Sequence, residues 1–411
     1  MTELRIFGLP EPEPAAAARA LAGLGFKAVT LPVADAAGAD AGAPSAAAVA
    51  GTGLQAWGCR AAFAVRGVRE GAEALLARDV SGTPRPWFGS GCPNQPPLRR
   101  LHLETVAALA RGGDWAGFTL DGIRFASPHA GAAFWTCFCP LCAARAEALG
   151  IDLQRVRHAV GALGALPGAA GAAGPAESLP ELRARLEGEP GLADWLRLRR
   201  EVILEHVREV RAVVDAANGA APGGAPPGPS GGGGGDAGRR SGFQLGAYLF
   251  PPSLASLVGQ DYATLAPSLD VVSPMLYRTI EGDACLASEV GALSALGLLA
   301  PRGPFTAEDV GAEVALARAA LGMSPAEGGA GPRPFLRPRL VPILQLADEA
   351  VAETTAAALD AGADGVDYFA YRAGTERHVA QVAEVVATVR GTPRGAPGPD
   401  ATGSESCEPV S

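Results

Sequence analysis

Eight short apolar runs recur along the chain, most of them followed by a stretch of helical spacing, and this repeat constrains the fold more than any other feature. The runs are "LRIFGL" (4–9), "FKAVTL" (26–31), "LQAWGCRAAFAV" (54–65), "WAGFTLDGIRF" (115–125), "FQLGAYLF" (243–250), "DVVSPMLY" (270–277), "RLVPIL" (339–344) and "ADGVDYFAY" (363–371). A strand covered by helices reads as a nearly continuous apolar run, and repeated strand–helix units build a parallel sheet. Eight such units predict an α/β fold, a (β/α)8 TIM barrel, occupying residues 1–390 as a single domain. The 411-residue length suits one barrel with insertions.

The insertions are expected between strands four and five. Two stretches there, about 160–190 and 218–241, are rich in Gly, Ala and Pro and too poor in apolar side chains to offset chain entropy, so they read as mobile. The tail 391–411 reads as disordered by the same rule, with Cys407 incidental within it. Between the insertions runs "LADWLRLRREVILEHVREVRAVVDAAN", where Trp195, Leu198, Val202, His206, Val210 and Val213 form one helical stripe. His206 therefore reads as a packed core residue.

Composition removes several function classes. A net charge of -9 repels phosphates and argues against nucleic acid as a partner. The single lysine, Lys27, opens a strand instead of closing one, which disfavours imine-forming and pyridoxal phosphate enzymes. Of the five histidines only His129 closely follows a predicted strand, so a metal site built from strand-end histidines is not expected. No organic cofactor is implied. The start "MTELRIFGLP" lacks a basic region followed by a long apolar stretch, and no apolar run is long enough to cross a bilayer, so the expected location is the cytoplasm, with no membrane partner.

In such barrels chemistry sits where strands end. Strand four closes on Asp121, with Gly122 and Arg124 following; alternation puts residues 119, 121 and 123 on the inner face, which aims Asp121 at the barrel mouth. The other strand-end candidates for substrate binding are Tyr248, Tyr277, Arg278, Gln345, Asp367, Tyr371 and Arg372, together with Arg124. A buried structural Asp121–Arg124 bridge is the competing expectation. Trp57, Trp87, Trp135, Tyr248, Tyr277 and Tyr371 offer flat faces on which a sugar ring can stack, although most aromatics in a barrel are packing.

The stretches "DWAGFTLDGIRFASP", "CFCPLC", "DWLRLRREVILEHVREV", "DVVSPMLYR" and "GADGVDYFAYR" resemble the uncharacterised glycoside-hydrolase-like TIM-barrel family, whose strand four carries an acid–glycine–Ile–Arg motif. The resemblance spans most of residues 1–390 outside the insertions and implies a glycosidase that takes a carbohydrate as substrate or ligand. It places Asp121 at the position of a nucleophile or substrate-binding acid. Glycoside hydrolysis needs a second carboxyl, about 5 Å away for retention and roughly 6.5–9.5 Å away for inversion. Glu281 is the first choice for a general acid, with Asp283, Asp348, Glu349 and Asp367 also available; Asp348 and Glu349 sit where acids often merely cap a helix. Two other functions stay open: a carbohydrate-binding barrel without a complete acid pair, and a phosphate-ligand barrel using Gly374 and Thr375 at the helix start after strand eight.

Cys137, Cys139 and Cys142 form C-x-C-x-x-C after strand four, and Cys92 lies in the neighbouring loop after strand three. Four thiolates brought together suit a structural zinc, with Cys59 or His129 able to replace Cys92; a set of small buried hydrophobes is the plainer alternative.

Overall fold

The computed structural model describes residues 2–391 apart from 11–12, 34–42, 50, 66–70, 113, 165–173, 220–241, 280–281 and 324–336. Its eight parallel strands are β1 (Glu3–Phe7), β2 (Ala28–Pro32), β3 (Gln55–Ala61), β4 (Gly117–Asp121), β5 (Gln244–Leu249), β6 (Val271–Pro274), β7 (in two pieces, Arg339–Leu340 and Ile343–Gln345) and β8 (Gly365–Phe369). Each falls within or beside one of the apolar runs. Consecutive strands pair in parallel register from β1 to β6, and β8 pairs with β1.

The circle closes through β7. Its first piece pairs with β6 and its second with β8, so the two ends of the strand order are consecutive stretches of one strand. The break falls at Pro342, which has no N–H to give; its carbonyl still accepts from the Asp367 amide. Tight strand contact elsewhere depends on missing side chains. A Cβ on Gly365 would lie 2.2 Å from the Glu3 carbonyl oxygen, and one on Gly117 would meet the Trp57 ring at 2.8 Å.

Helices pack outside. Pro96–Arg111 begins with proline at its first turn and lays Leu98, His102, Val106 and Leu109 inward. Pro190–Ala217 buries Trp195, Leu198, Val202, His206 and Val210, as its stripe predicts, but continues through Val214, one helical turn after Val210, instead of Val213. His206 is a packed residue: its Nε2 lies 2.8 Å from His102 Nδ1, and Phe63 stacks beside it.

The stretch read from composition as a first mobile insertion contains a helix, Leu179–Gly188, capped by the Ser178 hydroxyl and burying Leu182 and Leu186. Two well-spaced leucines were enough to anchor it despite the flanking glycines. The second insertion, apart from 218–219, and the tail beyond 391 lie outside the described residues. No described helix is long and apolar enough to cross a membrane.

Candidate functional site

Strand phase and register place the inner-facing side chains. Asp121, the last residue of β4, sits beside Ala61 of β3, with β5 on its other flank. Gly122 follows with φ +60, a left-handed turn that folds its own N–H back onto Asp121 Oδ1 at 2.8 Å. That is the only hydrogen bond of the Asp121 carboxyl among the described residues, and the residue is half-buried at the C-terminal end of its strand. Burial raises the Asp121 carboxyl above its ordinary range, against the opposing pull of the Arg124 guanidinium and the Gly122 N–H.

Arg124 does not form the expected bridge to Asp121. Its side chain is 3% exposed and pairs with Asp283, Nη2 to Oδ2 at 3.3 Å. The guanidinium lies 4.7 Å from the Trp87 and Phe250 ring centres and 5.5 Å from that of Phe88. Asp283 also accepts from Ser127 Oγ. Nearby, Glu289 holds the backbone N–H groups of His129 and Ala284, and burial raises its carboxyl. These two acids therefore fasten the loops after β4 and β6 to each other.

Deeper in the barrel, Arg5 faces Asp367 at 3.8 Å and stacks 4.0 Å over the Trp57 ring, while Tyr248 donates to Asp367 at 3.0 Å. All four are buried, so Asp367 and Tyr248 form an inner polar layer instead of lining an open mouth. Burial raises Asp367, against the pull of Arg5 and the donors on it. Thr119 Oγ1 and the Arg5 Nε and Nη1 atoms in this layer have no hydrogen-bond partner among the described residues.

The remaining candidates divide. Tyr277 packs its ring 5.5 Å from Phe369, and burial pushes its hydroxyl well up. Gln345 ends β7 and accepts from Thr279 at 3.0 Å. Arg278 is committed to Asp348 by a two-pronged pair at 3.0 and 2.7 Å and to the Phe305 carbonyl, which joins the loops after β6 and β7. Tyr371 is buried, with its backbone on Phe7, and Arg372 is exposed. Glu281 lies outside the described residues. At the helix start after β8, the Glu376 carboxylate already accepts from the Gly374 N–H, which removes a donor the phosphate reading requires.

The aromatic expectation changes hands. Trp57, Trp87 and Trp135 are buried, whereas Phe88 is 55% and Phe369 36% exposed. Phe88 adopts φ +44, an unusual conformation for a bulky side chain, beside Trp87 and Arg124. Sequence reading passed over both phenylalanines; only its place next to Trp87, itself a stacking candidate, signalled the first.

The cysteine cluster is assembled as the spacing suggested. The sulfurs of Cys92, Cys137, Cys139 and Cys142 all lie within 4.8 Å of one another, and all four residues are buried. Sulfurs around a tetrahedral zinc sit about 3.8 Å apart, given bonds near 2.3 Å; here Cys92 Sγ lies 3.5 Å from Cys142 Sγ and 3.6 Å from Cys139 Sγ. None of the six described cysteines is in a disulfide. Donors surround the sulfurs: Asn94 Nδ2 reaches Cys142 at 3.2 Å, the Asn94 amide reaches Cys92 at 3.4 Å and the Arg78 amide reaches Cys137 at 3.4 Å. Hydrogen bonds from its three neighbours hold the Cys139 thiol low, while burial pushes Cys92 up. The donor set and its spacing fit a four-sulfur divalent ion. Cys59, facing the barrel interior, and His129 are not part of it.

No protein-family model and no curated protein matches the chain. Among solved structures it is similar to the β-galactosidase of the Antarctic haloarchaeon Halorubrum lacusprofundi, with a TM-score of 0.54 and 16% identity over 96% of this chain and 59% of that one. The β-galactosidase of the psychrophile Marinomonas ef1 gives 0.52 and 13% over 94% and 60%. That of Rahnella sp. R3 gives 0.51 and 12% over 93% and 56%. The chain thus spans about three-fifths of the length of these enzymes, and the likeness is one of fold.

Proposed function

We propose that this barrel is a glycoside hydrolase acting on a glycan or glycoside, with Asp121 as one of its two working carboxyls. The observation that carries the reading is the Asp121 side chain itself: at the C-terminal rim, half-buried, raised by burial, and with one oxygen uncommitted. A carboxyl raised by burial suits donation to a leaving-group oxygen. That assigns the acid role to Asp121 and leaves Glu281, in the loop after β6, as the carboxylate partner. Phe88 and Phe369 supply exposed ring faces for a sugar, and Gln345, half-buried at the end of β7, supplies a polar contact. The β-galactosidase likeness makes β-galactosides the first substrates to try.

A panel of nitrophenyl glycosides tests this. Asp121→Asn and Glu281→Gln should each lower turnover by about 10²-fold or more. A second reading, a carbohydrate-binding barrel without hydrolysis, is favoured by one fact: the described acids nearest Arg124 and the inner layer, Asp283, Glu289, Asp348 and Asp367, are all engaged in pairs or backbone bonds. Glycan binding by a wild type that turns over no member of the panel would decide for it.

We further propose that the four cysteines hold a structural zinc. A closed sulfur set leaves no open position for substrate, so the ion would brace the loops after β3 and β4. Those loops flank Asp121. Near-stoichiometric zinc in purified protein is the expected result.

A further inference from the structure

Arg199 lies on the helix Pro190–Ala217, is 1% exposed, and pairs with no carboxylate among the described residues. Its Nε donates to the Thr136 carbonyl at 3.2 Å, and Nη2 donates to the carbonyls of Phe134 at 2.5 Å, Thr136 at 3.0 Å and Ala126 at 3.4 Å, while Nη1 donates to the carbonyl of Leu257. The guanidinium lies 4.0 Å from the centre of the Trp195 ring. Carbonyl dipoles and a ring face solvate part of the charge, but a buried cation without a counter-charge is costly, and an arginine does not escape by losing its proton.

The Thr136 carbonyl, which accepts from both Nε and Nη2 of Arg199, belongs to the peptide bond with Cys137, so the guanidinium lies beside the buried cysteines of the cluster. As neutral thiols they would offer it no negative charge. Four thiolates around a divalent ion carry a net charge of about -2. We infer that Arg199 is the resident counter-cation of the four-cysteine metal centre, and that cation and metal together clamp the segment 126–136 between the strand carrying Asp121 and Cys137. Four of the five carbonyl contacts of Arg199 are to that segment, and Cys137 follows it directly. Arg199 is a positioning residue: it touches neither the mouth nor, by this assignment, the metal. The inference rests on the zinc reading and is independent of the glycosidase one.

Competition for Zn²⁺ against a chromophoric chelator tests it with the full-length chain, with Co²⁺ as a spectroscopic substitute. Wild type should give thiolate-to-cobalt charge-transfer bands and the bands of a tetrahedral centre. Arg199→Met should bind Zn²⁺ about 10- to 100-fold more weakly, and Arg199→Lys, which keeps the charge and loses the fork, should fall between. Removing the metal from wild type should speed amide hydrogen exchange across 126–136. A folded Arg199→Met with affinity within twofold of wild type overturns the inference alone. Wild type that takes up neither ion overturns the zinc reading and this inference with it. Where Arg199→Met fails to fold, unchanged exchange across 126–136 in stripped wild type refutes the clamp.

Discussion

Among the described residues Asp283 is the only carboxylate that pairs with Arg124, and replacing it by Asn removes that pair. At 3.3 Å the pair attracts with a gross energy of about 5 kcal/mol at an effective dielectric near 20, most of it offset by the desolvation of both groups. Removing one partner does not return that desolvation, because the Arg124 side chain, 3% exposed, stays beneath Trp87 and Phe250. One-sided loss of a buried pair costs about 3–5 kcal/mol. Two features pull the figure down: Asp283 is 15% exposed, and the ring faces return about 1 kcal/mol. The expected cost of Asp283→Asn is therefore about 2–3 kcal/mol. Arg124→Met combined with Asp283→Asn should cost clearly less than the two single changes together, with a coupling of about 2 kcal/mol. Urea unfolding of the four proteins measures this, with unfolding rates in place of midpoints should refolding be incomplete. A coupling below about 0.5 kcal/mol would refute the account of Arg124 as a paired buried cation. The same change bears on the site. Once Asp283 no longer offsets its charge, Arg124 pulls harder on Asp121, the proposed general acid, so the alkaline limb of any pH–rate profile should move to lower pH in Asp283→Asn.

Two further outcomes follow from geometry. Burial holds His102 and His206 below the usual imidazole range, with Arg60 and Arg99 adding to the effect and Glu205 and Glu209 opposing it at His206. The unfolded chain therefore binds protons below about pH 6.5 that the folded one refuses; stability contributed by the pair is full above that pH and declines as pH falls through it. The urea midpoint should drop between pH 7.5 and 5.5, and a His102→Gln, His206→Gln double variant with an equally steep drop would assign the slope elsewhere. Phe88→Gly relieves the left-handed backbone and should raise stability by about 1 kcal/mol while weakening glycan binding several-fold in a calorimetric titration; loss of stability would show that the ring is packing, not platform.

All eight strands were legible because each is buried on both faces and bounded by glycine, proline or a polar rim, so the apolar runs needed no partner to be recognised. Asp121 was legible for a related reason: alternation fixes its face, and its place at the strand end fixes its height. Height is where Asp367 misled, since strand phase puts it on the inner face without saying that Arg5 and Tyr248 meet it below the rim. The cysteine quartet carried its own spacing. Pairings across loops left no such trace: Arg124 with Asp283 and Arg278 with Asp348 join segments 159 and 70 residues apart, and local sequence ranks those acids as free or as helix caps. Phe88 was hidden because backbone strain at a non-glycine residue has no compositional mark.

The proline break in β7 gives the barrel a seam. Every other stave is stitched along its length to the same two neighbours, but here the regular ladder passes from one side to the other halfway up, and single bonds, from the Leu276 amide to the Ile343 carbonyl and from the Asp364 amide to the Leu340 carbonyl, hold the opposite edges. A hoop parts at its joint: thermal breathing should begin between 339 and 345, and the rim that carries Gln345 would then loosen before the one that carries Asp121.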